Sequence, residues 1–310
     1  MSALALRARP LALTLSGAVQ FALLAVTGSA ATTLPPQALA EVRGPLVVAV
    51  GDIACSPARD VVTATRCQQA ATARQALGYH PALAFDLGDN QYERGSLRAY
   101  RRVYDTSWGA LRAITRPVPG NHEYRTPGAR GYYAYFAHQQ PGPPGYYAFD
   151  VQGWRVYALN SNCNRISCHS ETRWLRRQMN GHRRACSLMM MHHPLYSSGL
   201  ERHRNTDLRP LWRVALRHHT DLALAGHDHD YERFRPMDAT GHVIRRGIRS
   251  FVVGTGGKNL RRSRVIRHGS VIFSRHRAGV LALRLGHRDY AWQYKTIDGL
   301  LVDSGTARCH

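Results

Sequence analysis

The segment Gly226-His227-Asp228-His229 directly follows the apolar run Leu222-Ala223-Leu224-Ala225 and carries two histidines two residues apart. If the run is a strand, the turn after it can direct the two imidazoles toward different metal ions. A His-x-His pair alone is equally compatible with surface histidines, because neutral imidazole suits many roles besides metal binding. Its meaning therefore depends on whether other strand ends supply carboxylate and amide partners.

Four further apolar or strand-like runs end in residues of that kind. These residues are Asp52, Asp89 with Tyr92, Asn121 with His122, and His192. A single aspartate after a glycine is usually a turn residue or a helix cap, but five such ends are difficult to explain as turns. Carboxylate, amide and imidazole groups together suit two clustered metal ions. One carboxylate must bridge such a pair, since two neighbouring cations require shared negative charge.

The elements that would position these ends alternate between strands and helices. We predict strands at 46–50, 82–87, 188–191, 222–225, 250–253, 279–285 and 290–297, and a hairpin at 146–150 and 154–159. We predict helices at 65–77, from Ser96 to about 108, at 171–179 and at 207–218. The alternation predicts an α/β fold with its polar chemistry at one edge of the sheet. The last strands suggest a second, antiparallel half.

The N-terminal region has the features of a secretory signal peptide. Arg7 and Arg9 precede an apolar segment from 11 to 26, and small residues between 28 and 40 offer cleavage sites. A membrane anchor is the alternative, but the apolar run is shorter than the ~20 residues that a spanning helix needs. We predict a signal peptide at 1–31, one folded domain at 44–310, a secreted or extracytoplasmic location, and no transmembrane segment after cleavage.

The chain contains six cysteines, and an even number in an exported protein favours disulfide bonds. Six cysteines allow 15 pairings. Short loops favour Cys55–Cys67 and Cys163–Cys168, which leaves Cys186–Cys309. The absence of a C-x-x-C motif argues against thiolate zinc sites.

The formal net charge is +22, and Lys258 and Lys295 are the only lysines. Residues 242–277 contain no acidic residue. A nucleic-acid partner is one interpretation, but few aromatic residues that could stack on bases lie there, so a solvated basic surface is the simpler one. A third is that the positive field attracts substrates that carry phosphate.

The order of the motifs resembles that of the calcineurin-like metallophosphoesterases, and more narrowly the purple acid phosphatase branch. The motifs are Gly-Asp, Gly-Asp-x-x-Tyr, Gly-Asn-His-Glu, His-x-Pro and Gly-His-x-His, and the resemblance covers about 45–305. Where the superfamily usually has a histidine in its first motif this chain has Ala54, and Tyr92 stands where the purple branch supplies a phenolate. The resemblance implies a four-layer α/β (α+β) fold, with two mixed β-sheets packed as a sandwich and flanked by helices. The domain at 44–310 would be the metallophosphoesterase catalytic domain.

The resemblance also implies a site for two metal ions. It assigns the first metal to Asp52, Asp89, Tyr92 and His229. It assigns the second to Asp89, Asn121, His192 and His227, so that Asp89 bridges the two. A phenolate ligand favours Fe(III) in the first site, and the second would hold Fe(II), Zn or Mn.

The implied activity is that of an exported acid phosphatase, which hydrolyses phosphate monoesters by attack of a metal-bound hydroxide. His122 would contact the phosphate and protonate the leaving group, and Glu123 would hold the other ring nitrogen of His122. The family's second substrate histidine is not matched at its usual spacing, so His203 and Arg202 are the candidate substrate contacts. The substrate would be a phosphorylated small molecule.

Two other functions remain open at this point. A phosphodiesterase or nuclease could use the same dimetal site, with the basic region 242–277 gripping a polymer. A non-catalytic phosphate- or metal-binding protein is the other alternative. The sequence does not indicate the oligomeric state.

Overall fold

The computed structural model describes residues 38–56, 60–182, 184–199, 205–263 and 265–310. The predicted signal peptide at 1–31 and the candidate substrate contacts Arg202 and His203 lie outside these residues. Within the described ranges, no helix has the length and apolar composition that crossing a bilayer requires.

The described strands follow one another along the chain from residue 46 to residue 308. They are β1 (Leu46–Val50), β2 (Leu83–Asp86), β3 (Thr115–Pro117), β4 (Tyr147–Val151), β5 (Trp154–Ala158), β6 (Cys186–Met190), β7 (Leu222–Ala225), β8 (Tyr231–Phe234), β9 (Arg249–Val253), β10 (Ser270–Ser274), β11 (Gly279–Leu285), β12 (Asp289–Thr296) and β13 (Leu301–Arg308). The α-helices are α1 (Ala38–Glu41), α2 (Gln69–Gly78), α3 (Leu97–Ala99), α4 (Arg130–Tyr135), α5 (Cys168–Gly181) and α6 (Arg209–Arg217).

The strands form two mixed sheets. The first has the order β13-β12-β11-β1-β2-β3, and the second has the order β10-β8-β9-β7-β6-β5-β4. In the first sheet β1, β2 and β3 run parallel, whereas β11, β12 and β13 add antiparallel pairs. In the second, β5, β6, β7 and β9 run parallel. The parallel strands of each sheet therefore carry their loops to one edge.

The two sheets pack face to face around a shared apolar core. Aromatic contacts cross between them, including Phe85 with Phe149 and Phe251 with Trp292, with ring centroids 6.0 and 5.8 Å apart. Tyr231 and Tyr294 stack in parallel at 3.8 Å. Helices α5 and α6 cover the outer face of the second sheet through a separate apolar cluster, and α2 packs outside the first. The predicted four-layer sandwich is confirmed.

A buried ion pair joins the two sheets at β8. The Arg233 guanidinium donates to Asp303 of β13 through Nε at 2.7 Å and Nη2 at 2.9 Å. The same carboxylate accepts hydrogen bonds from the Tyr231 hydroxyl at 2.6 Å and from Trp292 Nε1 at 3.1 Å. The Tyr-Glu-Arg segment after the histidines is therefore a strand that links the two sheets.

Several elements differ from the sequence-based prediction. Strands β3, β8, β10 and β13 were not predicted. The helix predicted from Ser96 to about 108 is divided, although Ser96 does cap its start by accepting a hydrogen bond from the Ala99 amide. A π-helical segment spans Tyr100–Tyr104, and a 3-10 helix spans Trp108–Ile114. Ser107, with φ −135° and ψ −87°, separates the two.

The predicted disulfide pairing is confirmed at all six cysteines. The bonds are Cys55–Cys67, Cys163–Cys168 and Cys186–Cys309. The last closes a loop of 123 residues and attaches the end of β13 to the start of β6. A crosslink over so long a loop restricts the unfolded chain most strongly.

Candidate metal centre

The seven side chains predicted as metal ligands meet where loops from both sheets converge. Asp52, Asp89 and Asn121 follow β1, β2 and β3 of the first sheet, whereas His192 follows β6 of the second sheet and His227 follows β7. Tyr92 and His229 lie two or three residues further along two of these loops. The site therefore spans the edge at which the parallel strands of the two sheets end.

One cluster of donor atoms surrounds the hydroxyl of Tyr92. This oxygen lies 2.6 Å from Asp52 Oδ1, 2.9 Å from Asp89 Oδ2 and 3.1 Å from His229 Nε2. The His229 Nε2 atom is also 3.3 Å from Asp52 Oδ1. All four side chains are buried, so the cluster is the one predicted for the first metal.

A second cluster surrounds the imidazole of His192. Its Nε2 atom lies 3.2 Å from Asn121 Oδ1, 3.2 Å from His227 Nδ1 and 3.5 Å from Asp89 Oδ2. These are the four residues predicted for the second metal. Because Asp89 Oδ2 contacts both clusters, Asp89 occupies the position that a bridging carboxylate requires.

Hydrogen bonds from outside the clusters fix two of the imidazole rings. The Nδ1 atom of His192 lies 2.9 Å from the carbonyl of Leu87, and that of His229 lies 3.1 Å from Asn259 Oδ1. Each Nδ1 can only donate to such an oxygen, so it is the Nε2 atom of each ring that is directed toward its cluster as a potential metal ligand. Asn259 was not among the residues predicted for the site, because it follows none of the apolar runs that end in candidate ligands.

Three of the residues have backbone conformations that side chains rarely adopt. Asp52, Asp89 and His227 have φ of 60°, 50° and 73°. A non-glycine residue in this left-handed region costs on the order of 1–3 kcal/mol, and such residues cluster at functional sites. The fold therefore holds these three residues in place at the expense of stability.

Two glycines leave room for the carboxylates. A Cβ atom on Gly120 would fall 2.2 Å from Asp89 Oδ1, and one on Gly226 would fall 2.7 Å from Asp52 Oδ2. Both distances are shorter than the closest approach of a Cβ atom to a non-bonded oxygen, so an alanine at either position would displace a carboxylate. This accounts for the glycine before Asn121 and for the glycine before His227.

Charge is distributed unevenly through the site. Burial disfavours the ionised form of Asp89, but the neighbouring His192 and His122 outweigh it and hold the pKa of Asp89 well below its usual range. Burial likewise opposes the charge on His192, yet Asp89 raises the pKa of that ring to about 9. Burial, with the charges of Asp52 and Asp89, raises the pKa of the Tyr92 phenol well above its usual value.

His122 lies beside Asp89 but is not held by Glu123. The His122 amide donates to Asp89 Oδ1 at 2.8 Å, and its Nε2 atom lies 3.8 Å from Asp89 Oδ2. Its Nδ1 atom faces Glu93, 2.9 Å from the carbonyl oxygen and 3.5 Å from the side-chain Oε2. The prediction that Glu123 holds the His122 ring is therefore wrong, and Glu93 takes that position.

Glu123 instead binds the loops that carry the ligands. Its buried carboxylate accepts hydrogen bonds from the amides of Asp89, Asn90, Gln91 and Gly120 and from the hydroxyl of Tyr100. It therefore ties the loop after β2 to the loop after β3. Four converging amides favour a carboxylate, which explains an acidic residue in this motif.

Part of the acid-free region 242–277 is buried. Residues 250–258 are buried and lie within or just after β9. Lys258 points toward the site, where its Nζ atom pairs with Asp60 at 2.6 Å and with Glu93 and lies 4.9 Å from the Tyr92 ring centroid. The arginines of the region are thus divided between two separate stretches.

The donor set fits metal ions. Asp52, Asp89 and His192 each offer a ligand atom, and these atoms lie within 4.8 Å of one another. His192 Nε2 lies 3.2 Å from both His227 Nδ1 and Asn121 Oδ1, so a cation between these three atoms would meet two nitrogen donors and one oxygen donor. His193 also approaches His227, but its Nδ1 atom lies 2.9 Å from the hydroxyl of Ser161.

A sequence profile described as calcineurin-like phosphoesterase matches residues 46–231, which is more than half of the chain. The chain belongs to the calcineurin-like phosphoesterase family. Membership implies a metal-dependent hydrolase of phosphoric esters with a dimetal site. No curated protein sequence matches the chain significantly.

Two solved structures of other proteins share the fold. The purple acid phosphatase PPD1 of yellow lupin (Lupinus luteus) matches with a TM-score of 0.68 and 18% identity, over 86% of this chain and 54% of that one. This phosphoesterase therefore spans about half the length of the lupin enzyme. GAP50, described as the anchor in the inner membrane complex of Plasmodium, matches with a TM-score of 0.64 and 14% identity, over 86% of this chain and 89% of that one.

Proposed function

We propose that the protein is an exported dimetal phosphatase of the purple acid phosphatase type, which hydrolyses phosphate monoesters. The observation that carries this proposal is the convergence of two donor clusters on Asp89, with His122 beside them. Neither cluster needs a residue from outside the described part of the chain. The three disulfides support export, since disulfides persist in oxidising compartments.

In this proposal each of the two donor clusters binds one metal ion. Asp52, Asp89, Tyr92 and His229 hold one ion, and Asp89, Asn121, His192 and His227 hold the other. When bound, two such ions neutralise charge on a phosphate and lower the pKa of water.

Protonation of the leaving group is assigned to His122. Its Nε2 atom faces the bridging carboxylate, while Glu93 fixes its Nδ1 side. During hydrolysis the bond from phosphorus to the ester oxygen breaks, and that oxygen needs a proton. Among the described residues, His122 Nε2 is placed to donate it, and the His122 backbone amide, which donates to Asp89, helps to position the ring.

The proposal is tested by comparing esters on protein reconstituted with iron and zinc. We expect phenyl phosphate to be hydrolysed faster than the diester methyl phenyl phosphate. We expect His122→Asn to lower kcat on phenyl phosphate by about 10²–10⁴-fold, the usual contribution of a positioned acid. The loss should be smaller on p-nitrophenyl phosphate, whose leaving group needs less protonation.

The matched control is His138→Asn, which changes an exposed histidine outside both clusters. It should retain full activity. A faster rate on the diester would favour the phosphodiesterase alternative. Fully metal-loaded protein that hydrolyses no ester at any pH would refute the proposal and favour a non-catalytic binding protein.

We also propose Fe(III) in the first cluster and Fe(II), Zn or Mn in the second. The donors around the Tyr92 hydroxyl include two carboxylates, a hard ligand set that suits a highly charged cation. We expect the oxidised, iron-loaded protein to show a visible tyrosinate-to-iron absorption band that disappears in Tyr92→Phe. Tyr100→Phe is the control, because that hydroxyl binds Glu123. A protein without the band at full iron loading would contradict the iron assignment.

A further inference from the structure

An open cavity of about 620 Å³ lies beside His122 and has a strongly basic lining. Tyr92 and Glu93 form its inner wall. The Tyr92 ring centroid is 4.2 Å from that of His122, and Glu93 contacts the His122 Nδ1 atom. A group that enters the cavity is therefore adjacent to the proposed leaving-group acid.

Three arginines, Arg94, Arg125 and Arg165, line the cavity, and Glu93 is the one acidic residue in its described lining. Glu93 is already paired with Lys258 and, at 3.2 Å, with Arg125. Among the residues described, no acidic side chain lies within ion-pair distance of Arg94 or Arg165. The cavity therefore carries uncompensated positive charge.

The backbone holds these arginines close to His122. The amides of Gly95 and Arg125 both donate to the carbonyl of His122, each at 3.2 Å. These two bonds hold the backbone at Arg94 and Arg125 close to His122. The three guanidinium groups are exposed, but the chain from which they extend is anchored at the site.

Arg165 reaches the cavity from a different element that is also anchored. It lies in the loop closed by the Cys163–Cys168 disulfide. Just before that loop, the Asn162 side chain donates to the carbonyl of Pro119 at 3.0 Å, and the Asn160 side chain donates to the hydroxyl of Tyr124 at 2.7 Å. Arg165 is thus held against the loop that carries Asn121.

We propose that this cavity is a subsite for a second phosphate group, so that the favoured substrates are phosphomonoesters with another phosphate on the leaving-group side. Guanidinium groups bind phosphate oxygens through paired hydrogen bonds. Three of them at a concave surface can hold a second phosphate group, which a substrate with a single phosphate does not carry. The inference rests on the proposed monoesterase activity, because that activity places the scissile phosphate beside His122.

A matched pair of substrates tests the subsite. Phenyl phosphate and 1,4-phenylene bisphosphate share the same ring, and the second carries a phosphate on the far side of it. We expect a higher kcat/KM for the bisphosphate. We expect Arg94→Gln/Arg165→Gln to lower the ratio of the two kcat/KM values by at least about tenfold, equivalent to about 1.4 kcal/mol.

A distant arginine controls for the general positive charge. Arg308 lines another cavity together with Ser187, near the start of β6, whereas His192 follows the end of β6. Arg308→Gln should leave the ratio unchanged. An equal fall in this variant would show that net charge alone produces the preference, and would overturn the subsite.

A binding measurement separates the subsite from the activity. Calorimetric titration of the metal-loaded protein with phenylphosphonate and with 1,4-phenylenebisphosphonate requires no turnover. We expect tighter binding of the bisphosphonate, reduced at least about tenfold in the double arginine variant. Equal affinities for the two compounds would overturn the subsite even if phenyl phosphate is hydrolysed. A protein that shows the affinity difference but hydrolyses neither ester would refute the phosphatase activity alone.

Discussion

Asp89→Asn should lower turnover of phenyl phosphate by at least about 10³-fold, because it removes the carboxylate that contacts both donor clusters. Asp89 Oδ2 lies 2.9 Å from the Tyr92 hydroxyl and 3.5 Å from His192 Nε2, and Oδ1 accepts the amide of His122. Two bound cations would stabilise the charge of the transition state by several kcal/mol. Each 1.36 kcal/mol in the activation free energy changes the rate tenfold. An amide oxygen supplies no negative charge to share between them.

The measurement combines kcat with the metal content of the purified protein. The matched control is Asp86→Asn, three residues earlier at the end of β2. Asp86 is also buried, which raises its pKa to about 7, but it binds the hydroxyl of Tyr104 rather than either cluster. We expect the control to retain activity within a few fold. Near-normal turnover in Asp89→Asn with full metal content would refute the bridging role.

Asp303→Ala should lower the free energy of unfolding by about 3–5 kcal/mol, the usual effect of removing one partner of a buried ion pair. The change leaves the Arg233 guanidinium without a counter-charge between the two sheets. It also removes the acceptor of the Tyr231 hydroxyl and of Trp292 Nε1. Each such loss adds a buried donor with no partner.

Urea unfolding, monitored by tryptophan fluorescence and by circular dichroism, provides the measurement. Arg184→Ala is the control. Arg184 forms an ion pair with Asp150 at the surface, where the side chains of Arg184 and Asp150 are 47% and 40% exposed. Pairs of that kind contribute about 0–1 kcal/mol. The double variant Arg233→Met/Asp303→Leu should recover much of the loss, because apolar groups need no counter-charge. Similar midpoints for Asp303→Ala and Arg184→Ala would contradict the role assigned to the pair.

The sequence predicts the strands that bear ligands because each is a short apolar run followed by a polar residue. β1 and β7 are buried throughout, and their bounds agree with the prediction. The spacing of polar residues after these runs is enough to select the residues that converge. The disulfide pairing was also predictable, because two of the three bonds close short loops.

Strands β8 and β13 could not be recognised in the same way. β8 is fully buried but contains Glu232 and Arg233, whose partners Ser198 and Asp303 lie 34 and 70 residues away in the chain. β13 is a sheet edge in which only Asp303 is buried, and it contains no apolar run of the length seen in β1 or β7. In both strands the buried charged residues are stabilised by partners that are distant in the sequence, so these pairs are recognised only from the folded structure.

The role of Glu123 also could not be inferred from its position in the sequence. Its position next to His122 suggested a contact between the two side chains, but neighbours in a tight 3-10 turn project in different directions. The acceptor for His122 comes from Glu93, and the groups that orient His192 and His229 are the carbonyl of Leu87 and the side chain of Asn259. Residue types and spacing identify donors for metal ions, whereas the groups that orient them follow from the fold.

The division of the ligands between the two sheets has a consequence for the lifetime of the protein. Because Asp52 and Asp89 extend from one sheet and His192 and His227 from the other, ions bound there would join the two halves of the sandwich. A ligand that binds only the native state stabilises it by about 2.7 kcal/mol at one hundred times its dissociation constant. Resistance to proteases would therefore follow the local supply of metal. Metal starvation would therefore lower the amount of protein through proteolysis, in addition to lowering its activity.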